Sequence, residues 1–455
     1  MRRSLLVTLP ILVCLFPTSL FGQSGWLITT VDSAGDVGNA SSLALTSDGQ
    51  PRVTYGTNFL PGVLKHAAFD GVSWSIAPVD SPWFFGSNSL ALDADDRSHI
   101  AYTANTNAPL KYTSQNGSPF PSWSMETMGN QGVNPSLALA SSGQPHIACD
   151  NGQEQLLFAV KEASGSWVLE YPAGIGPRHV LPSLTLDPSG NPHLSVHEYG
   201  PPHGVRYARR LGGVWTIETV DSASTNFITY SSIALDASVN PHIVFNDPAG
   251  TLKYAVRSSS AWIVEVVAAA GGVVSHRSLA IDAVGNAHLA YYDRVKKDLQ
   301  YAVRSAGGWM IQAVDTTGDV GIEASLVLDP YGRPRISWYD RTRGDLKYGY
   351  PDPTAVSFAL PDEAEFELAV RPNPSVGGRF EILFGVPRED HVDLEVFDVT
   401  GRRVADLVSA RCHSTPCRTT WNGLDDQGRP VAAGVYVLRL EMGGWTTTRR
   451  VTVIR

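Results

Sequence analysis

Residues 183–198, SLTLDPSGNPHLSVHE, place Asp187, His193, His197 and Glu198 around a Gly-Asn-Pro turn. Two imidazoles and two carboxylates at that spacing could ligate a divalent metal or form an acid/base pair. They could equally be scaffolding, because aspartate side chains readily accept backbone N–H groups a few residues on. A metal would draw on His197, Glu198 and His203, but the EYGPPH spacing matches no strong ligand motif. What decides between these readings is the set of elements that carries the residues.

One sentence of sequence recurs seven times, opening at Ser42 (SLALTSDGQPRVTY), Ser89, Ser136, Ser183, Ser232, Ser278 and Ser325, with spacings of 47, 47, 47, 49, 46 and 47 residues. A fixed period of that size is the mark of a solenoid or a propeller. Each unit holds four strand-sized segments: the Ser-Leu-Ala-Leu run, a His-Ile-Ala-Tyr run after a Gly/Asn/Pro turn, a Leu-Lys-Tyr run, and a segment that starts with Trp. Four short strands joined by turns make a propeller blade. Seven Trp-led segments occur, at Trp26, Trp74, Trp123, Trp167, Trp215, Trp262 and Trp309, so the first precedes any complete unit and the unit at Ser325 lacks one. The expectation is an all-β chain with a seven-bladed β-propeller of four-stranded blades. WLITTVD at 26–32 would complete the last blade (1+3 closure) and leave no free edge between the ends.

The repeat sorts the candidate residues. His193 is matched by His99, His146, His242 and His288, with Arg52 and Arg335 in the other two units, and Asp187 is matched by Asp93, Asp236, Asp282 and Asp329. A residue present in most units at one strand start reads as turn chemistry. His197 and Glu198 depart from their counterparts, which include Asp247, Tyr292-Asp293 and Tyr339-Asp340. All fall where the second strand ends, on the face that also receives the fourth-to-first connections. His197, Glu198, Asp247, Tyr292, Asp293, Tyr339 and Asp340 are therefore the candidate ligand-binding set, with a solvated loop rim as the alternative. Carboxylates accept hydrogen bonds from sugar hydroxyls and aromatic faces cover sugar C–H patches. No catalytic residue can be chosen among them: a glycosidase needs two carboxylates about 5–10 Å apart, and spacing in sequence does not supply that. The Arg-Gly-Asp at 343–345 lies in the ordinary entry to the third strand.

Composition fits this picture. The chain has 455 residues, 42 Gly, 30 Pro and 11 Trp, with only 17% charged residues and a formal charge of −9, so nucleic acid is not an expected partner. MRRSLLVTLPILVCLFPTSLFG, residues 1–22, has the arginine head, short apolar run and small residues of a secretory signal. No stretch reaches the ~20 apolar residues of a transmembrane helix. Cys14 falls in the signal, Cys149 sits where other units hold Tyr, Phe, Val or Trp, and Cys412 and Cys417 could close a small disulfide loop. No P-loop, dinucleotide-binding glycine motif, CxxC pair or HExxH occurs, so no cofactor is expected.

After Tyr350 the repeat stops. Residues 351–366 read as a Pro-rich acidic linker, and VDLEVFDV and GVYVLRLE, separated by turn residues, read as strands of a small β-sandwich over 367–455. Over 26–350 the unit resembles a class of secreted bacterial propeller repeats. The segments VFDVTGRRV and WNGLDDQGRPVAAGVYVLRL resemble the FlgD-like Ig fold of hook-capping proteins and the C-terminal sorting domain of the bacterial type IX secretion system. That second resemblance implies export and attachment through residues 367–455, with the export machinery as a partner. Residues 23–350 would then be a secreted or cell-surface module that binds extracellular glycan or a surface protein. A carbohydrate-active hydrolase or lyase using rim carboxylates, and a structural surface component, stand as alternatives.

Overall fold

The computed structural model describes residues 25–58, 62–81, 86–103, 109–116, 122–151, 153, 155–172, 179–198, 203–223, 230–258, 261–269, 271–275, 277–305, 308–352, 368–373, 375–384, 390–399, 401–412, 417–442 and 445–454. The signal segment and most of the linker lie outside this set. The chain divides into two compact units, Met1–Ala355 and Val356–Arg455.

The first unit is all-β, built of antiparallel sheets that follow the repeat. From the inner strand outward, the first sheet is Val37–Leu45, Pro51–Thr57, Leu64–Phe69 and Trp74–Asp80. The second is Asn88–Leu92, Ser98–Tyr102, Pro109–Asn116 and Ser122–Gln131, and the third Val133–Leu139, Pro145–Asp150, Leu156–Lys161 and Trp167–Glu170. The fourth is His179–Leu186, Pro192–Glu198, His203–Leu211 and Val214–Ala223, and the fifth Ser231–Leu235, Pro241–Asn246, Leu252–Ser258 and Ala261–Ala268. In the sixth, the inner strand is broken into Gly272–Val273 and Leu279–Ile281, followed by Ala287–Asp293, Asp298–Ser305 and Gly308–Asp315. The seventh is Val320–Leu328, Pro334–Asp340 and Asp345–Pro351, and its outer strand is Trp26–Asp32 from the start of the chain. The inner strands touch one another in cyclic order, the seventh meeting the first.

The Ser-Leu-Ala-Leu sequence explains the packing. Its first leucine is buried between sheets, as Leu43, Leu90 and Leu137 show. The serine, on the alternate side, ties one sheet to the next through its hydroxyl oxygen. Ser42 Oγ accepts the Leu90 N–H at 3.0 Å, Ser136 Oγ that of Leu184 at 2.9 Å, and Ser325 Oγ that of Leu43 at 3.0 Å. Two residues before this serine, Ala40, Asn134, Leu181 and Glu323 all have φ between 51° and 58°, at the bulge where the inner strand shifts register. The GDVG segments need glycine for a related reason. A Cβ on Gly38 (φ 110°) would stand 3.0 Å from the Leu346 Cα, and one on Gly321 (φ 97°) 2.6 Å from the Leu299 Cα.

Each Trp-led strand is clamped by the sheet before it. Third-strand rings stand edge-on to the next sheet's Trp: Tyr112 to Trp167 (centroids 5.1 Å apart), Phe158 to Trp215 (5.3 Å), Tyr207 to Trp262 (5.4 Å), Tyr254 to Trp309 (5.3 Å) and Tyr301 to Trp26 (5.5 Å). The indole N–H groups of Trp167, Trp215 and Trp309 donate to Glu126, Glu170 and Glu265 of the preceding sheet at 2.8, 2.6 and 2.9 Å. Lys161, Arg210 and Arg304 reach the same three glutamates.

In the second unit a three-stranded sheet (Leu368–Arg371, Phe380–Phe384, Cys417–Trp421) and a five-stranded sheet share one apolar core. Phe380 stacks on Trp421 at its centre, 5.4 Å between centroids. Cys417 is disulfide-bonded; the Cys412 side chain lies outside the described residues.

Candidate functional site

The turn residues do what their repetition implies. Asp187 Oδ1 accepts the N–H groups of Ser189 and Asn191 (2.9 and 2.8 Å), and Oδ2 accepts the Asn191 side-chain amide (2.8 Å). Asp236 and Asp282 repeat this with Asn240 and Asn286, and Asp329 does so with Arg333. The repeat histidine spans from that turn to the third strand. His193 Nδ1 pairs with the Tyr207 hydroxyl at 2.6 Å, and His99 and His288 pair with Tyr112 and Tyr301 at 2.5 Å. On the other side, Nε2 of His99 and of His288 lies 3.2 Å from Asp93 and Asp282. Asp, His and Tyr in a line resemble a proton relay, but burial holds the His99, His193 and His242 imidazoles below their ordinary pKa. The repeat histidine fastens a turn to a strand.

The sequence-derived ligand set is largely occupied by the fold. His197 is buried within its strand, flanked by Val180 and Val205, and Glu198 pairs with Arg206. Asp247 caps its turn through the N–H groups of Ala249 and Thr251 (3.0 and 2.9 Å) and faces Lys253. Burial works to raise its carboxyl, and those partners together hold it below the ordinary carboxylate value. Asp293 accepts the N–H groups of Val295 and Lys296. Asp340, fully buried, accepts the Arg343 N–H and pairs with the Arg343 guanidinium, both at 3.1 Å. The Arg-Gly-Asp triplet is thereby part of a turn, with Asp345 buried. Among the described residues no cluster of three His, Cys, Asp or Glu could hold a metal ion. Cys149 is buried, and burial raises its thiol.

Tyr292 and Tyr339 lead to a second layer that sequence reasoning missed. The Tyr292 hydroxyl of the sixth sheet donates to Asp319 at 2.7 Å, in the connection entering the seventh. The Tyr339 hydroxyl of the seventh donates to Asp36 at 2.6 Å, in the connection entering the first. Burial and these carboxylates push both phenols up to about 12, so they remain donors. Each aspartate is also met from its other side. The Arg341 N–H donates to the Asp319 carbonyl (2.9 Å) and its guanidinium lies 3.6 Å from the Asp319 carboxylate. Asn58 makes the corresponding backbone bond to Asp36 and adds its side-chain amide at 3.0 Å. Arg294 and Arg341 are exposed. Two adjacent junctions between sheets thus carry the same phenol–carboxylate pair, flanked by amide and guanidinium donors. The signal for them was the paired GDVG and Tyr-Asp-Arg segments, which only units 6, 7 and 1 approach.

Two more ionisable groups belong to the inner strands. Glu323, at the inner-strand bulge, accepts the Ala40 N–H, and burial raises its carboxyl. Burial, and then Glu323, push the Tyr230 phenol up to about 12. Arg277 stands in the break of the sixth inner strand. It crosses to the second and third sheets, donating to the carbonyls of Leu90 (2.8 Å) and Leu137 (3.2 Å) and to Ser89 Oγ. Burial pushes its guanidinium down to about 10.

No known protein family and no curated protein matches the sequence. Solved structures similar to the chain include a β-propeller lectin among others. AofleA of Arthrobotrys oligospora is 12% identical, with 64% of this chain and 89% of that one covered and a TM-score of 0.46. The six-bladed fucose-recognising lectin of Aleuria aurantia is 14% identical, with 62% and 96% covered and a TM-score of 0.43. PorZ, a surface component of the type-IX secretion system of Porphyromonas gingivalis, is 11% identical, with 89% and 68% covered and a TM-score of 0.39.

Proposed function

We propose that residues 26–350 form a seven-bladed β-propeller that is secreted and binds extracellular glycan, with residues 367–455 serving export and surface attachment. The observation that carries the binding reading is the doubled junction, Tyr292–Asp319–Arg341 beside Tyr339–Asp36–Asn58. Phenol, carboxylate and guanidinium close together offer donors and acceptors in the mixture that vicinal sugar hydroxyls need. The set proposed from sequence is kept as its support: Asp293 and Asp340 hold the turns that present Arg294, Arg341 and Arg343, Asp247 caps the corresponding turn of the fifth sheet, and His197 and Glu198 lie within their own strand, Glu198 paired with Arg206.

The enzyme alternative has one specific observation in its favour, the carboxyl of Glu323 near Tyr230, which burial raises in the direction a general acid needs. Purified chain on a glycan array, followed by a hydrolysis and elimination assay on every hit, separates the two. Binding without turnover that weakens on Arg341→Ala supports the lectin reading. Turnover lost in Glu323→Gln overturns it.

A further inference from the structure

The inner strands enclose a cavity of about 420 Å³ on the axis of the first unit. At one level it is lined by Arg277 and by Ser136, Ser183, Ser232 and Ser325, and beyond them by Thr185, Ala234, Ala280 and Val327. It continues to Leu235, Ile281 and Leu328 at the strand ends, roughly 10 Å from the serines at the usual rise per residue. A cationic, hydroxyl-bearing level therefore leads to walls whose side chains are mostly apolar.

That level has unspent donors. Among the described residues Arg277 makes no ion pair, and its contacts there are a hydroxyl and two carbonyl oxygens, all neutral. Its Nε–H is buried without an acceptor among the described residues. Ser136, Ser232 and Ser325 each accept one backbone N–H from the neighbouring sheet. A hydroxyl that accepts still holds its own hydrogen, and for these three buried serines no acceptor for it occurs among the described residues. A buried charge with only neutral partners is costly and is normally met by a counter-charge.

We propose that this axial well binds a short-chain aliphatic carboxylate, its head group against the Arg277 Nε–H and the hydroxyls of Ser136, Ser232 and Ser325, its tail along Ala234, Ala280 and Val327. The cavity volume falls in the range of small-molecule sites. Inorganic anions satisfy the cationic level but gain nothing from the walls. The break in the sixth inner strand is what admits the site, because Leu326 there bonds to the Arg277 carbonyl and not to the repeat serine.

The test is calorimetric titration of the full chain in chloride-free buffer with acetate, butyrate, hexanoate, hexanamide and chloride. The expected result is saturable hexanoate binding, at least tenfold weaker hexanamide, and roughly fourfold tighter binding per added methylene. Arg277→Met should abolish it, and Ser232→Ala should weaken it several-fold, which keeps the test open should Arg277→Met not fold. Equal binding of hexanoate and hexanamide, no saturable heat, or chloride binding as tightly as hexanoate would overturn the proposal.

Discussion

Tyr348, in the third strand of the seventh sheet, stands edge-on to Trp74, in the outer strand of the first, with ring centroids 5.6 Å apart. This contact repeats between the last and first sheets the ring-on-indole packing found between their neighbours. The seventh sheet accepts its own outer strand, Trp26–Asp32, from the opposite end of the repeat. This pairing joins residues more than 300 positions apart, and the inner strands add their own contact, Ser325 Oγ accepting the Leu43 N–H.

Trp26 is the anchor of that outer strand, almost wholly buried and packed against Tyr301. Trp26→Ala should cost about 3–5 kcal/mol, the range for a large aromatic removed from a core. Urea unfolding measures the loss. Hydrogen exchange should quicken in Asp345–Pro351, the partner strand, before it does in the fourth sheet.

His146 occupies the repeat's histidine position with both partners missing: Ala140 replaces the turn aspartate and Phe158 the tyrosine. Neither ring nitrogen has a partner among the described residues. The His146–Phe158 centroid distance, 5.9 Å, matches the 5.8 Å of His193–Tyr207, so a hydroxyl added to the ring would meet Nδ1. Phe158→Tyr should raise stability by about 1 kcal/mol in chemical denaturation.

Burial pushes the His66 and His146 imidazoles down to about 4. An unfolded histidine takes a proton near pH 6.5, while these stay neutral in the fold, so stability is full above that value and falls as pH drops toward 4. Each group should remove about 2 kcal/mol by pH 5. His146→Leu should flatten the decline between pH 7 and 5 by roughly half of the two histidines' joint share, read from unfolding curves across that window.

Asp293 and Asp298 lie directly opposite across two strands, as do Asp340 and Asp345. In the seventh sheet Lys347 stands 3.9 and 3.3 Å from its pair. The sixth sheet has Gln300 at that position, buried with its amide nitrogen unpartnered among the described residues. Burial, and then Asp293, raise the Asp298 carboxyl. A raised carboxyl favours the fold below the ordinary aspartate value and loses that contribution as pH climbs through its own. Gln300→Lys should stabilise the chain at pH 7 by about 1 kcal/mol, with a smaller gain at pH 4, in parallel thermal melts.

The repeat made the sheets legible, because a period near 47 with four apolar runs leaves few arrangements, and counting Trp-led runs located the strand at 26–32. Asp187 and His193 were legible as turn chemistry for the same reason. Asp293 and Asp340 were not, since a carboxylate at a strand end serves a turn N–H as readily as a ligand hydroxyl. His197 differs from its counterparts in type, yet its strand is paired on both sides and buries it. Arg277 stood in plain view one residue before a repeat serine, where other units hold Ser41, Asn88, Pro135 or Ala324. Its reach across the axis depends on a strand break that periodicity does not reveal.

The junctions separate fold from recognition experimentally. Asp340 is fully buried and bonded within its turn, so Asp340→Asn should cost 1–3 kcal/mol. Tyr292 is partly exposed, and its hydroxyl bonds an aspartate that Arg341 also meets, so Tyr292→Phe should change stability by less than ~1 kcal/mol. If the junction between the sixth and seventh sheets is where glycan binds, Tyr292→Phe and Arg341→Ala should each weaken binding to an array hit about tenfold or more with melting temperature nearly unchanged. Asp340→Asn should instead lower the melting temperature first. Unchanged affinity in both Tyr292→Phe and Arg341→Ala would remove this junction from the binding surface, because these two side chains meet the Asp319 carboxylate from opposite sides.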